Sequence, residues 1–124
     1  MLFLLESYIH LVRIDILMRL GGVKSIHALV RKTQAASSGD GTAISVTALC
    51  HAVDLACVFY PKRVFCLQRS AATALLLRGY GHTAELVIGA QMIPFRSHAW
   101  VEIEGAVVND KPYMLDIYQV LERC

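Results

Sequence analysis

Apolar residues in the first third of the chain recur at helical spacing. From Tyr8 to Leu20 they are interleaved with Arg13, Asp15 and Arg19, and Gly21-Gly22 closes the run. Val23, Ile26, Leu29 and Val30 make a second stripe ending in Arg31-Lys32, cations that suit a helix C-terminus. Ala35 to Gly41 is rich in Ser, Gly and Ala and reads as a loop. A third helix is expected from about Thr42, as N-cap, to about Phe59, ahead of Pro61. A fourth should start near Cys66 and run through Leu67, Ala71, Leu75 and Leu76 to Arg78, with Gly79 as its C-cap. Gly79-Tyr80-Gly81 then reads as cap and turn rather than as a phosphate loop.

After Gly81 the period changes from helix to strand. Ala84 to Ala90 holds Leu86-Val87-Ile88 and predicts a strand. Ser97 to Glu104 alternates, with His98, Trp100, Glu102 and Glu104 on one face and Ala99, Val101 and Ile103 on the other. Ala106 to Asn109 predicts a further strand, and Tyr113 to Cys124 a short closing helix. Helices followed by antiparallel strands give an α+β fold: one domain over 1–124, helical over 1–80 and mainly β over 84–110, with the N-terminal helices packed on a small antiparallel sheet.

Composition narrows the function. Apolar residues are 56% and charged residues 18% of 124, which excludes a disordered chain. Twelve Lys and Arg against ten Asp and Glu leave +2, too little to make nucleic acid the expected partner. No run approaches the ~20 apolar residues of a membrane span, because Glu6, Arg13, Asp15 and Arg19 interrupt the candidates. The first apolar run is short and has no preceding cation, so a cytoplasmic protein is expected, with a thick core or a partner-covered surface. Cys50, Cys57, Cys66 and Cys124 contain no CxxC pair, which disfavours zinc-ribbon and thioredoxin readings, and reduced thiols are expected.

The hairpin geometry brings chemistry together. If Gly105 takes the left-handed position of a three-residue loop, Glu102 pairs with Ala106 and His98 falls opposite Asp110. Opposed side chains have Cβ atoms roughly 4.5–5.5 Å apart, within reach of an imidazole–carboxylate hydrogen bond. A two-residue turn would shift that register by one. A His fixed by an Asp is a general base. Cys66 is the matching nucleophile, because a helix N-terminus favours thiolate and Lys62 and Arg63 stand just upstream. The plain alternative is a half-exposed strand histidine and a core thiol.

An ordered set of strings carries a family resemblance: Cys66-Leu67-Gln68-Arg69-Ser70, Leu76-Leu77-Arg78-Gly79, Leu86-Val87-Ile88-Gly89, Pro94-Phe95, His98-Ala99-Trp100-Val101-Glu102 and Val107-Val108-Asn109-Asp110. Over about residues 42–120 the chain resembles the leader peptidases of lasso-peptide biosynthesis, in the transglutaminase-like, papain-like group of cysteine hydrolases. The resemblance implies that Cys66 attacks the scissile carbonyl, His98 moves the proton and Asp110 orients His98. The substrate implied is a ribosomally made precursor, cut between leader and core. The freed core amine is then joined to a side chain by a separate ATP-dependent lasso cyclase. The 65 residues before Cys66 read as helices rather than a β-rich recognition module. The split form is therefore expected, with a stand-alone leader-recognition protein as partner. No cofactor and no metal are expected.

Several residues admit plainer uses. Asp116 is a second candidate for the third member. Trp100 either lines a substrate groove or covers the site from water. Glu102 and Glu104 are expected to be solvated. Cys50, Asp54 and Cys57 share one helix face near His51, but three aligned ligands fall short of a structural zinc set, so a core reading is preferred. His10, His27 and His82 read as solvated or capping residues, and Arg69 and Arg96 as contacts to the leader or an acidic partner, or as plain surface. Two other functions fit the sequence: acyl transfer to an amine by the same triad, and a non-catalytic adaptor docking precursor and cyclase.

Overall fold

The computed structural model describes residues 2–35 and 44–124. The loop expected at Ala35 to Gly41 and the Thr42 cap therefore lie almost wholly outside the described residues. The first helix, α1 (Leu2–Lys32), carries both expected apolar stripes, and the glycine pair interrupts it at Gly22 (φ 68°, ψ −159°). Its buried side includes Leu11, Ile14, Ile26, Leu29 and Val30. Leu2, Leu5, Ile9, Ile16 and Leu20 stay exposed.

Helix α2 (Val46–Phe59) begins later than expected, because Ser45 is the N-cap and its side chain accepts from the Ala48 N–H at 3.4 Å. Helix α3 (Cys66–Gly79) is the centre of the molecule: Gln68 and every residue from Ser70 to Arg78 are buried. It packs against α1 and α2 on one side and the sheet on the other, and Ala71, Ala72 and Ala74 lie fully buried along it. A helix covered on all sides has no solvent stripe, so a run of Ala and Leu is what it requires. The left-handed residue beyond it is Gly81 (φ 92°), two positions after the expected Gly79 cap.

The sheet runs β3-β2-β1-β4 and is antiparallel throughout. Strand β1 (Ala84–Met92) pairs with β2 (Phe95–Ile103), with Gly89 opposite His98. The β2–β3 connection departs from expectation. Ile103 pairs with Ala106 and Glu102 with Val107, so the turn is the two-residue Glu104-Gly105, both at positive φ (52° and 80°). This sign pattern is the primed hairpin turn. Glu is rarely found left-handed, which is why the sequence pointed to Gly105 alone and to a longer loop.

Strand β3 is only Ala106–Val107. The tail also differs: after the one-turn α4 (Met114–Ile117), residues Gln119–Arg123 form strand β4 on the free edge of β1, with a bulge at Ile88/Gly89. Gln119 to Arg123 alternates exposed and partly buried residues, the period of a strand. Cys124 exchanges both main-chain hydrogen bonds with Leu86, at 2.8 and 3.2 Å.

The sheet is buried on both faces. Leu86, Ala99 and Val101 join the helical core, while Val87 and Trp100 pack under Met114, with Tyr118 and Val120 at the margin. One buried cation ties the layers together. Arg78 donates from Nε to the Ala84 carbonyl (2.8 Å), from Nη1 to the Val30 and Thr33 carbonyls (2.9 Å to Thr33), and from Nη2 to the Cys124 carbonyl (2.6 Å). These acceptors come from the end of α1, the start of β1 and the end of the chain. Arg78→Lys keeps the charge but loses the planar fork and strands several carbonyls. We expect it to lower unfolding free energy by about 3 kcal/mol, read as a lower urea midpoint at unchanged slope; a shift of under ~0.5 kcal/mol would show that the fork is dispensable.

Candidate active site

Cys66 is the first residue of α3, where main-chain N–H groups lack helical partners and the helix dipole is positive. Its N-terminus is held by Gln68, whose Oε1 accepts the Phe65 N–H at 3.0 Å. The two upstream cations are engaged elsewhere. Lys62 pairs with Asp15 of α1 at 2.7 Å, and the Arg63 guanidinium lies 5.3 Å from the Phe65 ring centroid. Lys62 is thus paired with Asp15 rather than free beside Cys66.

His98 stands on β2, partly exposed, and donates from Nε2 to Asp110 Oδ2 at 2.7 Å. The expected contact is therefore present, although the expected register is not. It is reached through Asn109. Val108 N–H continues the ladder to the Val101 carbonyl at 2.9 Å. The Val101 N–H then goes to the Asn109 side chain (Oδ1, 2.7 Å) instead of to main chain. Asn109 Nδ2 donates to Ser70 Oγ, which donates to the Ala99 carbonyl, both at 3.0 Å. The chain leaves the sheet at this point, and Asp110 meets His98. With Nε2–H given to the carboxylate, Nδ1 keeps the lone pair of a base.

Asp110 also accepts the Lys111 N–H at 2.8 Å through Oδ1, and Arg69 Nη2 lies 3.6 Å from Oδ2. Burial pushes the Asp110 carboxyl up, but hydrogen bonds from His98 and Lys111 and the charges of His98 and Arg69 outweigh it, so it sits below its ordinary value. Asp116 is exposed on α4 and has no bond to His98. Arg69 is not free surface: Nη1 binds Asp54 of α2 at 2.8 Å and Nη2 the Asn109 carbonyl at 3.1 Å. The sequence reading missed Ser70 and Asn109. Their signal was that both stand inside the strings that carried the resemblance.

Behind His98 is an aromatic stack. Its ring lies 5.3 Å from Tyr118 and 6.1 Å from Trp100, both near-parallel. Trp100 is 0% exposed, so it presents no surface to a groove and serves as the floor under the histidine. Gly89 makes room for it, since a Cβ there would lie 2.6 Å from Trp100 Cη2 and 2.9 Å from Tyr118 Cβ. Glu102, expected in solvent, is 0% exposed. It accepts Trp100 Nε1–H at 2.8 Å and Arg123 at 2.6 Å, which replace its lost hydration. Glu104 is exposed in the turn, as expected.

Cys66 and His98 lie on the wall of one cavity of about 300 Å³, with Val23, Leu67, Ile88 and Leu121 as apolar neighbours. Among the described residues no hydrogen bond joins the two; they share the cavity and are not in contact through a proton. His27 and Glu122 line it too, and His27 is mostly buried rather than solvated, with its Nδ1 3.2 Å from Glu122. His82 binds the Ile44 carbonyl at 2.9 Å, and His10 contacts Arg13 at 3.4 Å.

Donor atoms of His27, Glu122 and Cys124 lie within 4.8 Å of one another. The Glu122 carboxylate is already shared by His27 and Arg31, and that guanidinium opposes a second cation there. On α2, burial pushes the Cys50 thiol up to about 11 and raises Cys57, and Asp54 is bound to Arg69.

Comparison with known proteins bears on this arrangement. A family model described as the transglutaminase-like superfamily matches residues 10–123. The microcin J25-processing protein McjB of Escherichia coli is 45% identical over 56 residues, which cover 45% of this chain and 27% of that protein. The matched stretch thus spans about a quarter of that relative. No solved structure matches.

Because the folded Asp110 carboxyl lies below its ordinary value of 3.8, it adds stability above that value and loses it as pH falls through the lowered one. Asp110→Asn should therefore be less stable than the parent at pH 7, with the gap narrowing below about pH 4. Urea unfolding across that range measures it, and a gap that is constant with pH would contradict the ionised pairing.

Proposed function

The chain belongs to the transglutaminase-like superfamily, and on that premise we propose that it is a cysteine endopeptidase that removes the leader from a ribosomally made lasso-peptide precursor. The observation that carries the reading is the 2.7 Å His98–Asp110 bond at a cavity whose wall includes Cys66 on a helix N-terminus. The relative named for microcin J25 processing supports the choice of substrate class.

In this reading His98 Nδ1 takes the Cys66 proton and the thiolate attacks the carbonyl of the leader's last residue. Unpartnered N–H groups at the start of α3 stabilise the oxyanion. His98 then returns the proton to the leaving core amine. Water, activated by the same imidazole, releases the leader as its acid. Asp110 holds the Nε2–H tautomer and the ring throughout. No step needs a metal or organic cofactor. A stand-alone leader-recognition protein delivers the precursor, and an ATP-dependent cyclase uses the freed amine. In this reading the cut is made in the cytoplasm, where ribosomes supply the precursor. Among the described residues no helix is long and apolar enough to cross a membrane.

The test is mass spectrometry of a candidate precursor incubated with the protein, with and without the leader-binding partner. One cut at the leader–core junction, with water added across the bond, is expected. Cys66→Ala and His98→Ala should abolish it, and Asp110→Asn should lower kcat by about 10²–10⁴-fold. Cleavage that persists in Cys66→Ala would defeat the reading, and an amide product in place of the acid would convert it to acyl transfer.

A further inference from the structure

We propose that Arg69 is a positioning residue of the His98–Asp110 pair, its guanidinium clamping the chain at Asn109 and Asp110 to α2 so that the carboxylate stays on the imidazole. The proposal rests on the catalytic reading of that pair. Arg69 lies one turn beyond Cys66 on α3 and is mostly buried, at 25% side-chain exposure. One arm of its planar fork binds Asp54 Oδ1 at 2.8 Å; the other donates to the Asn109 carbonyl at 3.1 Å and stands 3.6 Å from Asp110 Oδ2. That is the same oxygen that receives His98 Nε2–H. Two fixed ends determine where a rigid fork lies.

The need for a clamp follows from the path of the chain. Asp110 is beyond the end of β3, so no ladder holds it. The Asn109 side chain is secured by Val101 and Ser70, and Arg69 secures the Asn109 carbonyl, which begins the peptide unit leading into Asp110. On the α2 side, Asn109 and Asp110 border a cavity of about 330 Å³ whose opposite wall includes Cys50, His51 and Asp54. Arg69 reaches Asp54 from α3 and places a cation beside the carboxylate. Lys111 supplies only its main-chain N–H. The downward displacement of Asp110 has Arg69 among its causes, in line with the geometry. A lysine could reach Asp54 or the Asn109 carbonyl, but one ammonium cannot reproduce both arms.

Two readouts test this in the full-length protein. The first is the ¹⁵N shifts of the His98 ring without substrate, which report how fully the proton sits on Nε2. The second is kcat and KM for precursor cleavage with the leader-binding partner present. Arg69→Met should mix the ring tautomers and lower kcat by about ten- to a hundredfold, with KM changed less than about twofold. Arg69→Lys should recover only a minor part, and Asp54→Asn should show a smaller loss in the same direction. Asp54 is half exposed, so that variant decides the question if Arg69→Met does not fold. An unchanged tautomer with parental kcat in folded variants overturns the proposal. So does a rise in KM alone, which would make Arg69 a substrate contact. A parent protein that cuts no precursor defeats the peptidase reading, and the ring shifts then decide the positioning role by themselves.

Discussion

Where β3 ends, β2 still has an N–H to satisfy, and the Asn109 side chain takes it. A buried amide left without a partner costs about 1–3 kcal/mol, so the 2.7 Å bond from Val101 to Asn109 Oδ1 is a firm constraint. It substitutes a side chain for the next rung of the ladder, which frees the main chain to leave the sheet. The opposite end of the same amide binds Ser70, and through it the Ala99 carbonyl. One residue thereby joins β2, α3 and the departing chain. The next residue is Asp110, and its meeting with His98 depends on this exit. Moving the exit by one residue would carry the carboxylate off the imidazole.

The other face of the sheet explains why His98 holds still. A partly exposed histidine on a strand could ordinarily choose among rotamers. Here Tyr118 and Trp100 back the ring, and Trp100 is fixed by its bond to a buried Glu102. A buried carboxylate is costly unless it is paired, and Arg123 of β4 pairs it at 2.6 Å. The last strand thus supports the floor of the site as well as completing the sheet. Gly89 is required in that floor, because a side chain would occupy the space of the Trp100 ring.

Much of this was legible in the sequence, and the failures share a cause. Helical stripes and strand alternation come from burial on a regular period, and α1, α2, α3, β1 and β2 were readable on those terms. The approach of His98 to Asp110 was readable as well, but by a route the molecule does not take. The expected three-residue loop would have aligned the pair by register. The Glu104-Gly105 turn shifts that register, and Asn109 restores the contact. Neither a left-handed Glu nor an amide replacing a ladder rung leaves a periodic trace. The same holds for Glu102: alternation puts it on the face of His98 and Trp100, but the α4–β4 tail that buries this face reads in the sequence as a helix. Arg69 looked like surface for the corresponding reason, since Asp54 and Asn109 are remote from it in sequence.

The electrostatics of the site are more economical than the sequence suggests. Lys62 and Arg63 stand just before Cys66 in the chain, yet Lys62 is paired with Asp15, a partly exposed carboxylate of α1 that it holds below its ordinary value. Its service is to anchor the segment entering α3. Charge around the site is instead arranged as an alternating chain: Asp54, Arg69, Asp110 and His98 follow one another at 2.8, 3.6 and 2.7 Å. Arg69 stands between the two carboxylates, and the partly buried Asp110 has that cation on one side and the imidazole N–H on the other. The chain ends at the imidazole, whose Nε2 is held by Asp110. The imidazole in turn lines the cavity whose wall also carries Cys66, the first residue of α3.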